Sequence, residues 1–267
     1  MNEIWGVVEE YLDTLRAAGR PNTTIALRRA QLRHMAAALG DCAVDDVTGD
    51  VLIGWFAGQV WRPETRRSYR AGVRGFFAWT QATGRTAGDP ARWLPPVPQP
   101  VAVPHPAPDA IWTAAVGAAD ERTVLMLRLA AEAGLRRGEI AAIHSDDLRD
   151  GPTLVVHGKG GKDRVVPVSE ALAAAIARRP AGWLFPNGQG GHLSAGWVGT
   201  VCSRVMDDVW TLHSLRHRFA TRAYRGSRNL RAVQVLLGHA SVVTTQRYTA
   251  VDDSELRAAM AAAADVR

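Results

Sequence analysis

The chain has almost no lysine. Of its 32 basic residues 30 are arginine, and the two lysines, Lys159 and Lys162, stand three positions apart. Arginine stays charged at any physiological pH and grips phosphate with a planar fork, whereas lysine is able to give up a proton, so the surviving pair marks a place where proton transfer matters. Cysteine is as scarce: Cys42 and Cys202 are too far apart to suggest a disulfide framework or a CxxC metal pair, and both are expected to be buried thiols. No run approaches the roughly 20 apolar residues of a membrane span. The amino terminus also lacks the basic-then-apolar pattern of a secretory signal, so the expected location is the cytoplasm, with no membrane partner.

What is present is a 267-residue chain, 47% hydrophobic, with a net charge of +6 and a pI near 10.0. That length can bury one large core or two modest ones, and two domains are expected. The basic balance suggests a polyanionic partner. Apolar spacing predicts helices near 2–18, 22–39, 48–59 and 63–82, with Pro21-Asn22, Thr48 and Pro63 as start signals. On the last of these, Tyr69, Val73 and Phe76 form a core stripe and Arg66, Arg70 and Arg74 a second stripe at spacing four. Like charges stacked this way repel unless an anion lies over them, so the stripe reads either as a DNA-backbone contact or as a solvated basic face.

Residues 94–108 hold seven of the 14 prolines and read as a stiff linker between a helical domain, 1–93, and a second domain, 109–267. Beyond it the pattern predicts a helix over 122–132, the turn Ala133-Gly134-Leu135, and a short helix over 136–143. A β-hairpin follows, with strands 153–157 and 164–168 around the glycine-rich turn Gly158-Lys159-Gly160-Gly161-Lys162. Ser169 and Ser194 are N-cap candidates, and further helices are expected over 213–225, 229–237, 241–249 and, as a tail, 252–265. The fold class is thus mainly α with a small antiparallel hairpin or sheet.

Cutting one DNA strand and resealing it without an energy source requires a covalent intermediate that conserves the phosphodiester bond, which a tyrosine phenolate provides. Forked arginines suit the charge that builds on the phosphate. A lysine on a reachable loop supplies the proton that the departing sugar oxygen needs, and histidines bond the phosphate or assist the tyrosine. The chain offers such a set in four boxes: Ala133-Gly134-Leu135-Arg136-Arg137-Gly138-Glu139-Ile140, the lysine turn, Leu212-His213-Ser214-Leu215-Arg216-His217, and Leu236-Leu237-Gly238-His239 followed nine residues later by Tyr248.

These boxes, in this order, resemble those of the tyrosine recombinase (phage integrase) family over nearly all of 109–250. The helical amino-terminal part resembles, more loosely, the family's SAM-like core-binding domain. The resemblance implies Tyr248 as nucleophile and Arg136 and Arg216 as phosphate clamps. It implies His213 and His239 as phosphate partners, with His213 the better base, and Lys159 as the acid. Glu139 would support Arg136. Lys162 is the rival to Lys159 and otherwise a DNA contact. His213 and His217 also copy a helical zinc pair, but no accompanying glutamate or thiolate is present, so neither metal nor any other cofactor is expected. Leu212 and Ala133 depart from the residues many relatives carry there.

The resemblance further implies double-stranded recombination sites as partner, four protomers on two sites, and a nucleoid-associated place in a bacterial cell. A directionality factor or host DNA-bending protein is a further candidate partner. Because the helical domain begins almost at Met1, no separate arm-binding domain is expected. Integration and excision of a phage or mobile element is the favoured role, with a Xer-type dimer resolvase or a non-catalytic DNA-binding regulator as alternatives. The tail 252–265 is expected to pack either on its own subunit or on a neighbour.

Overall fold

Five helix starts in this chain follow from side chains that accept a free backbone N–H group of the first turn. Thr48 accepts from Val51, Asp120 from Thr123, Ser169 from Leu172, Ser194 from Trp197 and Asn229 from Ala232. The computed structural model describes residues 3–99, 105–158, 161, 163–207 and 209–238. The chain divides into two compact units, Met1–Val101 and Ala102–Arg267. Among the described residues no helix is long and apolar enough to cross a membrane.

The first unit is built of α1 (Glu3–Ala17), α2 (Asn22–Leu39), α3 (Gly49–Ala57) and α4 (Pro63–Ala82). Ile4, Val8 and Leu12 of α1, Leu32 and Met35 of α2, Leu52 of α3, and Val73, Phe76 and Phe77 of α4 fill its core. The expected stripe on α4 is therefore inside, with Tyr69 at its edge, stacked 3.9 Å from Trp61 and bonded to His34 at 3.1 Å.

Two members of the basic stripe meet main-chain oxygens. Arg66 donates to Phe56 O, in the last turn of α3, and to Gln59 O, just beyond it, at 2.7 and 2.6 Å. Arg70 donates twice to Leu94 O, at 3.0 and 2.9 Å. These carbonyl oxygens offset part of the repulsion along the stripe, and Arg74 is its exposed member. The proline-rich segment is anchored at both ends: Leu94 is buried in the first core, and Ala107 is buried in the second, its N–H on Ser214 O.

The second unit holds α5 (Asp109–Ala118), α6 (Glu121–Glu132), α7 (Arg137–Ala141), β1 (Leu148–Arg149), β2 (Thr153–His157), β3 (Asp163–Pro167), α8 (Glu170–Ala177), α9 (Ala195–Ser203), α10 (Leu212–Ser227) and α11 (Leu230–Leu237). Apolar α6 is central, packed by α8, α9 and α10. The sheet is antiparallel in the order β1-β2-β3, with Leu154 opposite Val166 and His157 opposite Asp163. Strand periodicity turns Leu154, Val156 and Val166 to the core and leaves Val165 outside. The fold is mainly helical with a three-stranded sheet, one strand more than the hairpin signal revealed, and α5 is a helix that the sequence reading did not anticipate. The predicted helices 241–249 and 252–265 lie outside the described residues. Cys202 is buried as expected, and burial pushes its thiol up to about 12. Cys42 is only half-buried, a correction to the expectation for both thiols.

Phe76 is fully buried against Tyr11, Phe77 and Trp79. Phe76→Ala is expected to destabilise the first unit by about 3–5 kcal/mol in a denaturant titration. A loss below about 1 kcal/mol would show that this packing does not carry the unit.

Candidate active site

The first arginine box is shaped by a glycine. α6 ends at Ala133, and Gly134 turns the chain at φ +67, a left-handed conformation that costs glycine little. A Cβ at 134 would also lie 2.5 Å from the Phe219 ring, so both backbone and space select glycine. The turn drops Leu135 into the core and sets Arg136 just before α7. Glu139, at the third position of α7, accepts the Arg136 backbone N–H through Oε2 at 2.7 Å and the Arg136 guanidinium through Oε1 at 2.8 Å.

Glu139 does more than support Arg136. Arg164 of β3 donates Nη1 to Oε1 at 2.8 Å and Nη2 to Oε2 at 2.9 Å, and Arg216 Nη1 lies 3.8 Å from Oε2. The Glu139 side chain is 6% exposed. Burial on its own would raise the carboxyl pKa, but the hydrogen bonds from Arg164 and the Arg136 N–H and the charges of the arginines outweigh it and hold the group at about 2.

Arg216, on α10, is 1% exposed and is the largest fully buried side chain among the described residues. It donates to Gly134 O and, at 2.7 Å, to Leu237 O, while Arg164 Nε donates to Leu236 O at 3.0 Å. Two arginines therefore hold the last carbonyls of α11, the negative end of that helix. The chain leaves this end through Gly238, at φ +61, toward His239.

His213 projects from the first turn of α10, its ring 4.3 Å from that of His217 and perpendicular to it. The protein packed around its ring, then the cations Arg216 and Arg136, lower the His213 pKa. His217 is lowered to about 4, first by burial and then by His213, Arg216 and His105. Both rings are thus neutral near pH 7, the state in which an imidazole can accept a proton.

At the base of the hairpin turn, His157 sits between two carboxylates, 2.9 Å from Asp147 and 3.0 Å from Asp163. Hydrogen bonds to both raise its pKa. Among the described residues no three His, Cys, Asp or Glu side chains gather where a metal ion could be held.

Of the predicted site residues, Arg136, Glu139, His213 and Arg216 converge in one region. Lys159, Lys162, His239 and Tyr248 lie outside the described residues. Arg164 was missed. Its only sequence signal is an arginine in a hairpin strand at the position sharing a face with Val166, and the turn register that decides that face was not fixed in advance.

Residues 107–255 match the phage integrase family. The chain is 36% identical over 222 residues to the tyrosine recombinase XerC of Rhodospirillum centenum, across 72% of this chain and 63% of that relative, so it spans less than two thirds of that protein. It is 30% identical over 282 aligned positions to the tyrosine recombinase XerC of Corynebacterium efficiens, across 93% and 88%. Among solved structures it is similar to the integrase of mycobacterium phage Brujita, at 28% identity, 94% and 89% coverage and a TM-score of 0.50. It also shares its fold with a lambda integrase dimer bound to a COC′ core site, at 19% identity, 94% and 77% coverage and a TM-score of 0.76.

Two outcomes follow from the carboxylate and the histidines. Glu139→Gln removes the anion from buried Arg164 and is expected to destabilise the second unit by about 3–5 kcal/mol, measured by chemical denaturation at pH 7. On acidification, unfolded His217 takes up a proton that the folded ring refuses, so stability falls as pH drops from 6.5 toward about 4. The Glu139 contribution is present above 4.5 and is lost as pH falls toward about 2. A stability-versus-pH curve should have a smaller upper step in His217→Asn, where His213 still contributes, and should lose its lower step in Glu139→Gln. Unchanged curves in both variants would refute the assignment.

Proposed function

Because the chain belongs to the phage integrase family of tyrosine recombinases, we propose that it recombines DNA at specific sites, cutting and rejoining strands through a 3′-phosphotyrosyl intermediate on Tyr248. The observation that carries this reading is the arginine cluster on Glu139. Three guanidiniums share one carboxylate, which leaves an excess of positive charge beside the end of α11, the segment that leads to His239 and Tyr248. Fixed forked donors at a buried site stabilise a phosphate in flight more than they would in water.

In this mechanism Arg136 and Arg216 hold the non-bridging oxygens. The Tyr248 oxygen attacks phosphorus, the bond to the 5′ oxygen breaks, and Lys159 gives that oxygen its proton. His213, neutral near pH 7, accepts the tyrosine proton, and His239 bonds the same phosphate. Attack of a free 5′ hydroxyl on the phosphotyrosine reverses these steps, so the ester bond is conserved and neither nucleotide cofactor nor metal has a step to perform.

The first unit serves as the core-binding domain, with exposed Arg74 and, from the lysine turn, Lys162 toward the DNA backbone. Such contacts make binding steeply salt-dependent. The working assembly is four protomers on two duplex sites, with a directionality factor or DNA-bending protein as an accessory. Integration or excision of a mobile element is the principal reading, and the likeness to a phage integrase favours it. Resolution of chromosome dimers is the second reading, favoured by the XerC and XerD relatives.

The test uses a duplex selected by the protein from a randomised library and nicked near the cleavage point, incubated in EDTA. Wild type is expected to give a denaturant-resistant protein–DNA adduct and Tyr248→Phe none. Specific binding without an adduct from wild type would replace the enzyme with a binding-only regulator.

A further inference from the structure

Arg164 lies on no box of the resemblance, yet its side chain joins two of them, the first arginine box at Glu139 and the end of α11 at Leu236. It stands on β3, the strand that follows the Gly158–Lys162 turn in sequence, on the face it shares with buried Val166. Its side chain is 10% exposed. All three of its nitrogens are engaged: Nη1 and Nη2 on the two oxygens of Glu139, and Nε on Leu236 O. The stem runs over the end of α11, where a Cβ on Gly238 would fall 2.9 Å from Arg164 Cδ and 3.3 Å from Nε and Nη1. The glycine that closes α11 is thus also the gap through which Arg164 passes.

Each contact reaches a different piece of the site. Glu139 also carries the Arg136 backbone N–H and guanidinium. The Leu236 carbonyl belongs to the last turn of the helix that precedes His239 and Tyr248. A planar fork with three directed donors can hold a carboxylate and a carbonyl at once, which a single ammonium cannot do.

Resting on the recombinase reading above, we propose that Arg164 is a positioning residue that ties the strand behind the lysine turn to Arg136, through Glu139, and to the end of α11 that delivers the nucleophile. It touches no DNA in this role and acts through the groups it holds.

The experiment uses the full chain and the selected, nicked duplex described above. Arg164→Lys keeps the charge and removes the fork. Adduct formation at saturating protein is expected to slow at least about tenfold while the dissociation constant for the intact duplex stays within about threefold, a loss in the chemical step and not in binding. Because Arg164 is held to act partly through Arg136, its loss should shrink to less than about threefold in an Arg136→Lys background, where the group it positions is already impaired. Arg164→Gln, which retains amide donors, is the second variant should lysine melt the fold below the assay temperature, as thermal unfolding would reveal.

A wild-type rate in the folded variant, a loss confined to binding, or a full multiplicative loss in the Arg136→Lys background would each overturn the proposal. Absence of any adduct from wild type itself would instead overturn the recombinase reading, and this proposal with it.

Discussion

A single buried carboxylate makes the arrangement possible. Arg136, Arg164 and Arg216 come from a turn, a strand and a helix, and without an anion among them their charges would drive those elements apart. Glu139 cannot serve this purpose cheaply, since burial opposes its ionised form. The bonds it accepts have to be directed and close to outweigh that cost, and they lie between 2.7 and 2.9 Å. The Gly134 turn, the register of the hairpin and the packing of α10 on α6 are all conditions for bringing those donors to one place.

The same economy operates in the first unit with carbonyls in place of a carboxylate. Arg66 closes the end of α3 and Arg70 holds Leu94, which lies in the unit's core. An arginine-rich chain thus uses guanidinium groups as internal fasteners as well as toward solvent. Cation–aromatic contacts extend the pattern, with Arg85 over Trp79 and Arg92 over Trp93, each 4.5 Å from the ring centre.

Much of the fold was legible because local rules set it. Thr48, Ser169 and Ser194 start helices where side-chain acceptors meet apolar periodicity, and the α4 stripe reads directly as core. What escaped were features fixed by distant partners. α5 begins one residue after the proline-rich run, and its first residue, Asp109, is claimed by Arg218 and Arg222 from α10, far along the chain. β1 is two residues long and exists only as an edge to β2. Arg136, Glu139, His213 and Arg216 were found because short motifs specify them. Arg164 was not, because its partners Glu139 and Leu236 lie 25 and 72 positions away and spacing along one strand says nothing of them. Spacing on α4 likewise grouped Arg66, Arg70 and Arg74 on one face without revealing which carbonyls the first two would meet.

The acceptors that Arg164 and Arg216 find at Gly134, Leu236 and Leu237 are main-chain oxygens. Every amino acid carries such an oxygen, so mutation at those positions can disturb its placement but cannot delete it. Glu139 alone contributes its acceptors through a side chain that one nucleotide change can erase. Over evolutionary time the leucines at the end of α11 are therefore constrained by their packing, Leu237 being fully buried, and not by the bonds their carbonyls accept, while on the acceptor side the genetic fragility of this arginine cluster is concentrated in one codon.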